Sequence, residues 1–349
     1  MKKLLRFFLK LVFFILLLAV AFICWLTARE YNPAPLEEVS VSGQAAKQIP
    51  AGSEISILSW NVGYAALGKE ADFAMDGGGN VPPADEPMVK RYLSGISQTA
   101  GELAADIRIY QEVDVNSKRS YSQDERSSLA MSNGAFAYNY RCDFVPFPMP
   151  PWQRVESGLY SATDYEIDRA ERISLPCPFS WPLRVANLKR CLLASYLPIE
   201  NSDKQLVLVN LHLEAYDSGE GKIAQTKQLS EFIQAEYSRG NYVIAGGDWN
   251  QVFPGTLDSY PNKHSDLWSV GSLDENLLPD GWKIAFDEDT PTCRLLNQPY
   301  VPSDTANTQY YVIDGFVLSP NVQFNSVQTV DKGFENSDHN PVLLNVTLE

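Results

Sequence analysis

The chain has 349 residues, 45% of them hydrophobic and 20% charged, a composition that excludes a disordered or low-complexity protein. It carries 28 Lys and Arg against 43 Asp and Glu; the first 29 residues hold five of the bases and no acid, so the overall charge of −15 becomes −20 over residues 30–349. So acidic a body excludes loose polyanion binding over a broad basic surface, although a metal ion in a cleft could still supply the local positive charge that a phosphate ester needs.

In chain order, Lys2, Lys3, Arg6 and Lys10 precede an uncharged run from Leu11 to Thr27. Those 17 residues are at the short end of what spans a bilayer as a helix. The basic flank predicts a cytoplasmic N-terminus and an extracytoplasmic body. A cleaved signal peptide is the rival, but the apolar run is long for one and Leu26-Thr27-Ala28 is a poor cleavage site. The expected organisation is thus a basic flank and transmembrane anchor over 1–29, a Pro-, Ala- and Glu-containing tether over 30–53, and a single domain over 54–349. Cys142, Cys177, Cys191 and Cys293 form no CxxC pair, which argues against a zinc ribbon and leaves open one or two disulfides or four free thiols.

From residue 54 onward short apolar runs recur: ISILSWN (55–61), DIRIYQEV (106–113), QLVLVNLHLEA (205–215), YVIAGGDWN (242–250), YVIDGFVLS (311–319) and NPVLLNVTL (340–348), with weaker ones at 158–167 and 190–197. Their lengths and β-branched content predict strands. Two helices fit between them. One, over 88–105, places Val89, Leu93, Ile96, Ala100 and Leu103 on one face; the other, over 222–239, groups Ile223, Leu229, Phe232 and Ile233 and stops at Gly240. The pattern predicts an α/β sandwich, two mixed sheets face to face with helices outside, four layers in all, preceded by one transmembrane helix. The Gly77-Gly78-Gly79 loop within 68–87 reads as a flexible linker, because no GKS/T follows it. The proline-stiffened stretch DFVPFPMPPWQRV (143–155) reads as a cap on the core, with a cleft lining or a membrane contact as alternatives.

The polar residues fall at the ends of the strand-like runs: Asn61, Glu112, His212, Asp248 with Asn250, Asp314, and Asp338 with His339. Each alone has a bland reading, as a turn amide, a solvated strand end or a satisfied core histidine. Together they are costly to cluster without a metal or substrate. Two of the three histidines, His212 and His339, belong to the set; His264 lies in a loop and is unassigned. Carboxylate and amide oxygens suit Mg²⁺, an imidazole can donate to a phosphate, and a carboxylate can fix that imidazole's tautomer. Arg184, Lys189 and Arg190 cluster as a small candidate anion site.

In this order WN (60–61), QE (111–112), NLHL (210–213), GDWN (247–250), YVIDGFVLS and SDHNPV (337–342) resemble the six motifs of the endonuclease/exonuclease/phosphatase superfamily, whose members include nucleases, inositol polyphosphate 5-phosphatases and sphingomyelinases. The resemblance covers residues 54–349. SGLYSATDYEI (157–167) resembles a further family strand, with Ala162 where that strand usually carries arginine. The resemblance implies Glu112 as the main metal ligand, with Asn61 beside it and Asp338 near. It implies His212 at the substrate phosphate, Asp248 activating or orienting water, Asn250 holding phosphate or water, and His339 either stabilising the phosphoryl transition state or serving as the base, with Asp314 fixing its ring; the choice of base between Asp248 and His339 stays open. It implies Mg²⁺, with Mn²⁺ as an alternative. The substrate would be a phosphate ester: a phospholipid head group, an inositol phosphate or a nucleic acid.

The anchor and the aromatic 143–155 loop favour a lipid substrate; the acidic charge disfavours a nucleic acid. A catalytically silent surface binding module on the same fold is the alternative, and the complete motif set speaks against it. A carbohydrate hydrolase would leave the two histidines and the GDWN amide unexplained.

Overall fold

The computed structural model describes residues 1–264, 266–268 and 270–348. The β-branched runs form two seven-stranded mixed sheets. In order across the first sheet are Leu36–Val39, Arg169–Ser174, Cys191–Pro198, Gln205–His212, Tyr242–Asp248, Asp314–Leu318 and Lys283–Ala285. The second runs Val322–Thr329, Val342–Leu348, Glu54–Asn61, Ile107–Asp114, Gln153–Thr163, Asn133–Val145 and Val41–Gly43. Each sheet has one parallel pair near its centre, 205–212 with 242–248 and 54–61 with 107–114.

Alternation along these strands builds the layers. Ile55, Ile57, Ile107 and Ile109 of one sheet meet Leu206, Leu208, Ile244 and Phe316 of the other in the central core. The opposite faces are apolar too, as both-face burial demands. Leu58, Trp60 and Tyr110 pack on helix Glu86–Leu103 through Val89, Tyr92, Leu93 and Ile96. Val207, Val209, Val243 and Ala245 pack on helix Glu220–Ser238 through Leu229 and Ile233. The result is the expected four layers, helix, sheet, sheet, helix. Asp85 caps the first helix by accepting from the Met88 N–H at 2.9 Å. Gly240, at φ +87°, follows the second.

Several expectations need correction. Ile223 does not share the buried helix face but is 54% exposed, because Gly221, Lys222, Gln225 and Thr226 turn inward instead. Replacing Ile223 with Gln should therefore leave Tm almost unchanged, within about 0.5 kcal/mol. Leu229→Ala should cost about 2–5 kcal/mol in a denaturant melt. The tether is partly structured: residues 36–39 and 41–43 each add an edge strand, one to each sheet, and Ile49 is fully buried against the core. The glycine-rich loop is not a free linker. Phe73 stacks on Trp152, and the buried Arg294 donates to the Gly68 and Ala71 carbonyls, so the loop's backbone is held from below. The 311–319 run splits: Tyr310–Tyr311 pairs with Cys293–Arg294, and only 314–318 enters the large sheet. The stretch 143–155 is the tip of a long hairpin, with Val145 and Val155 buried and Phe147 and Met149 exposed. All five cysteines are free.

Helix Lys2–Ala28, with mean hydropathy 2.9 over an 18-residue stretch, is long and apolar enough to cross a membrane.

Candidate active site

Parallel pairing aims the ends of the central strands the same way, so residues distant in sequence meet. In register, Asp248 lies beside His212 on one side and Asp314 on the other. From the facing sheet, the ends of 54–61 and 107–114 bring Asn61 and Glu112, and the turn before 342–348 brings His339. Asn61, Glu112, His212, Asp248, Asn250, Asp338 and His339 all line one cavity of about 140 Å³. Asp314 stands behind it, bonded to His339.

Asp248 is the hub. One of its oxygens, Oδ2, accepts from Asn61 Nδ2 at 2.9 Å and lies 3.3 Å from His212 Nε2 and 3.8 Å from His339 Nε2. Its Oδ1 accepts from the Asn250 backbone N–H at 2.9 Å. Asn250 is itself held by a bond from its Nδ2 to the Leu213 carbonyl. Burial raises the Asp248 carboxyl to about 7, with Asp314 adding and His339 and the Asn61 bond opposing.

The two imidazoles differ in charge. Burial, with the cations Arg190 and Arg119 nearby, holds His212 well below its ordinary range, so it is neutral; its Nδ1 has no partner among the described residues. Burial would also lower His339, but the Asp314 carboxylate 2.7 Å from Nδ1 outweighs it and pushes His339 well up. Asp314 therefore fixes the tautomer, with Nδ1–H donating, and leaves Nε2–H directed to the Asp248 side. Trp60 Nε1 donates to the His339 carbonyl and pins the turn.

Glu112 occupies a bulge in its strand at φ +57°, in the left-handed region. That turns it out of the ladder, 27% exposed, with Oε1 3.9 Å from His212 Nε2. Just below, Gln111 Nε2 donates to Asn210 Oδ1 at 2.8 Å, tying the two sheets together under the site.

Sequence reasoning missed Asp76, which comes from the supposed linker. Asp76 and Asp338 line the cavity with Glu112. Burial, then the charge of Asp338, and further Glu112, raise the Asp76 carboxyl to about 7. Burial, and Glu112, raise Asp338 to about 6 against the pull of His339. Mutual repulsion among these cavity carboxylates is what a divalent cation would relieve. A different trio, Cys293, Asp338 and His339, has its ligand atoms within 4.8 Å. Burial raises the Cys293 thiol to about 12, which keeps it protonated, and His339 Nδ1 is already taken by Asp314. That trio fits less well.

Arg119 was also missed. It forms a two-pronged pair with Asp114 at 3.0 and 2.9 Å and lies 3.7 Å over the Tyr64 ring at the cavity wall. Along the same wall, Asn139 Nδ2, Trp152 Nε1, and Arg190 Nε and Nη1 are buried donors without a hydrogen-bond partner among the described residues. Of the anticipated basic cluster only Arg190 reaches the cavity; Arg184 and Lys189 pair with Glu30. Outside these elements, His264 bonds the Asn307 carbonyl, away from the cavity lining.

No protein-family model and no curated protein matches the chain. Solved structures do. An endonuclease/exonuclease/phosphatase from Bacteroides vulgatus superposes with a TM-score of 0.55 at 16% identity, covering 85% of this chain and 100% of that one. One from Beutenbergia cavernae gives 0.55 at 15%, covering 84% and 72%. ANGEL2, described as a 2',3'-cyclic phosphatase and solved with adenosine-2',3'-vanadate, gives 0.52 at 14%, covering 90% and 99%. The chain therefore has the α/β sandwich fold of endonuclease/exonuclease/phosphatase structures.

Proposed function

We propose that this chain is a divalent-metal-dependent hydrolase of phosphate esters, a member of the endonuclease/exonuclease/phosphatase superfamily anchored in a membrane. In this reading helix Lys2–Ala28 crosses the bilayer, its basic start is cytoplasmic, and the sandwich lies outside. The observation that carries the catalytic reading is a single carboxylate oxygen, Asp248 Oδ2, lying between the Nε2 atoms of a neutral and a charged imidazole. A phosphate bound there would accept from His339 Nε2–H, which is positively charged and aimed by Asp314. His212 would contact the same phosphate. Asp248, held by Asn61 and the Asn250 N–H, would orient the attacking water and take its proton. Asn250 keeps that geometry through its bond to the Leu213 carbonyl.

Glu112, Asp338 and Asp76 would hold the cation, which is Mg²⁺ on the oxygen-only donor set, with Mn²⁺ as an alternative. When bound it supplies positive charge to a phosphoryl oxygen. The donors of Asn139 and Trp152 without a hydrogen-bond partner, beside Arg190 in its ion pair with Glu214, favour a substrate with further acceptor groups beside the scissile phosphate.

The purified full chain in detergent should hydrolyse bis-p-nitrophenyl phosphate, lose turnover on EDTA treatment and regain it with Mg²⁺ or Mn²⁺. Undiminished turnover in EDTA would remove the metal from the reading. A panel of nucleic acid, phospholipid and soluble inositol phosphates would then rank substrates.

A further inference from the structure

Two loops far apart in sequence meet at the C-terminal end of the apolar helix. Leu26, the helix's one buried residue, is 5% exposed and sits in a small core with Tyr140, Cys142, Val145, Val155 and Val185. Phe22 meets Phe144 edge to face at 5.6 Å. The Trp181 indole donates to Thr27 Oγ1 at 3.0 Å, and Arg29 pairs with Asp143. The helix therefore leaves its span packed against the hairpin tip and the 178–186 loop, rather than swinging on a free tether.

That packing fixes a depth. Phe22 lies about 9 Å before Ala28 along the axis at about 1.5 Å per residue. Phe144, level with Phe22, must lie at that depth too if the helix spans a bilayer. Beside it the loops expose large apolar side chains: Phe147 at 65%, Met149 at 67%, Trp181 at 54% and Leu183 at 69%. In water such a cluster is unexplained. At a membrane surface it is in place, with the Trp181 indole bonded to Thr27 near the end of the helix.

We propose that residues 144–150 and 178–186 form a foot seated in the bilayer from which the helix emerges, with Phe147, Met149, Trp181 and Leu183 among the lipids. This rests on the reading of the helix as a membrane span. The foot also orients the catalytic cavity. Tyr140 belongs both to the cluster around Leu26 and to the cavity wall, and its hydroxyl donates to the Ala186 carbonyl at 2.9 Å. Trp152, Leu188 and Arg190, on the chain leading out of the two loops, line the same wall. The cleft is thereby held beside the lipid surface, where a membrane-borne phosphate ester would reach it.

Tryptophan quenching tests this in the full chain, reconstituted into phosphatidylcholine vesicles with and without bromine on the upper acyl carbons. Trp181→Phe removes a quenched emitter, so the bromine-sensitive share of the emission should fall. Phe147→Trp adds a quenched emitter, so that share should rise. A rise with Trp181→Phe, together with no bromine sensitivity of the emission added by Phe147→Trp, would overturn the foot. Trp25→Phe reports on the helix alone: its removal should lower the bromine-sensitive share. Failure of that arm overturns the span and the foot with it, whereas failure of the Trp181→Phe and Phe147→Trp arms alone overturns only the foot.

Discussion

Replacing His339 with alanine is expected to lower kcat on bis-p-nitrophenyl phosphate by about 10²–10⁴-fold, the usual worth of a positioned acid or base, with a smaller change in KM. The reason is in its two nitrogens. Nδ1 is committed to Asp314 at 2.7 Å, and that buried carboxylate holds the ring charged despite burial. Nε2 is left for the cavity, on the Asp248 side. A charged donor in a water-poor pocket stabilises developing charge on a phosphoryl oxygen better than it binds the ground state, so the loss belongs in kcat. Asp314 acts through the ring, so Asp314→Ala added to His339→Ala should cost little further turnover; groups that work as a unit are not additive. Because His339→Ala strands a buried carboxylate, His339→Gln, which keeps a donor near Asp314, serves as the folded control. If either His339 variant turns over normally, the Asp314–His339 pair has no part in the chemistry.

How much of this was legible beforehand follows from where each residue sits. Asn61, His212 and Asp248 end strands, and Glu112 lies in a bulge near the end of one, whose neighbours run parallel, and parallel strands of similar length finish at one edge. A polar residue closing an apolar run could therefore be placed without coordinates. Asp314 was reachable in the same way, on a strand antiparallel to 242–248, and His339 from the turn that leads into the strand antiparallel to 54–61. Asp76 was not, because its burial depends on Phe73, Arg294 and Leu296 holding a glycine-rich loop down, and none of that is written in local periodicity. Arg119 was hidden for a related reason: it lies in a turn, and only its pairing with Asp114 brings it over Tyr64. The strand Asn133–Val145 escaped because NGAFAYNYRCDFV has no long apolar run; aromatic and small residues alternate with polar ones along a hairpin whose tip leaves the core. Residues 36–43 escaped because edge strands need few buried side chains, and theirs are mostly exposed.

Asp248→Asn should be nearly as damaging as loss of His339, about 10²–10⁴-fold in kcat, and it should also change the shape of the pH profile. In the wild-type chain the Asp248 carboxyl must be ionised to take a proton from water. Burial raises it to about 7, so kcat/KM should climb as pH rises through that region and flatten above it. A cation among Asp76, Glu112 and Asp338 favours the ionised form, so raising Mg²⁺ from a sub-saturating to a saturating level should move the rising limb to lower pH. His212, held neutral by burial and nearby cations, contributes no limb of its own across this range. His339, held charged, should contribute a falling limb at higher pH as its proton is lost. Asp248→Asn keeps the size of the side chain and an acceptor for Asn61, so the fold should survive, which a Tm measurement checks. It cannot ionise, so at saturating Mg²⁺, where the cation keeps Asp76 and Asp338 ionised, the rising limb should vanish from whatever rate remains. A variant that keeps the same rising limb at reduced rate would hand the proton to another group, with Asp248 left only to orient the water.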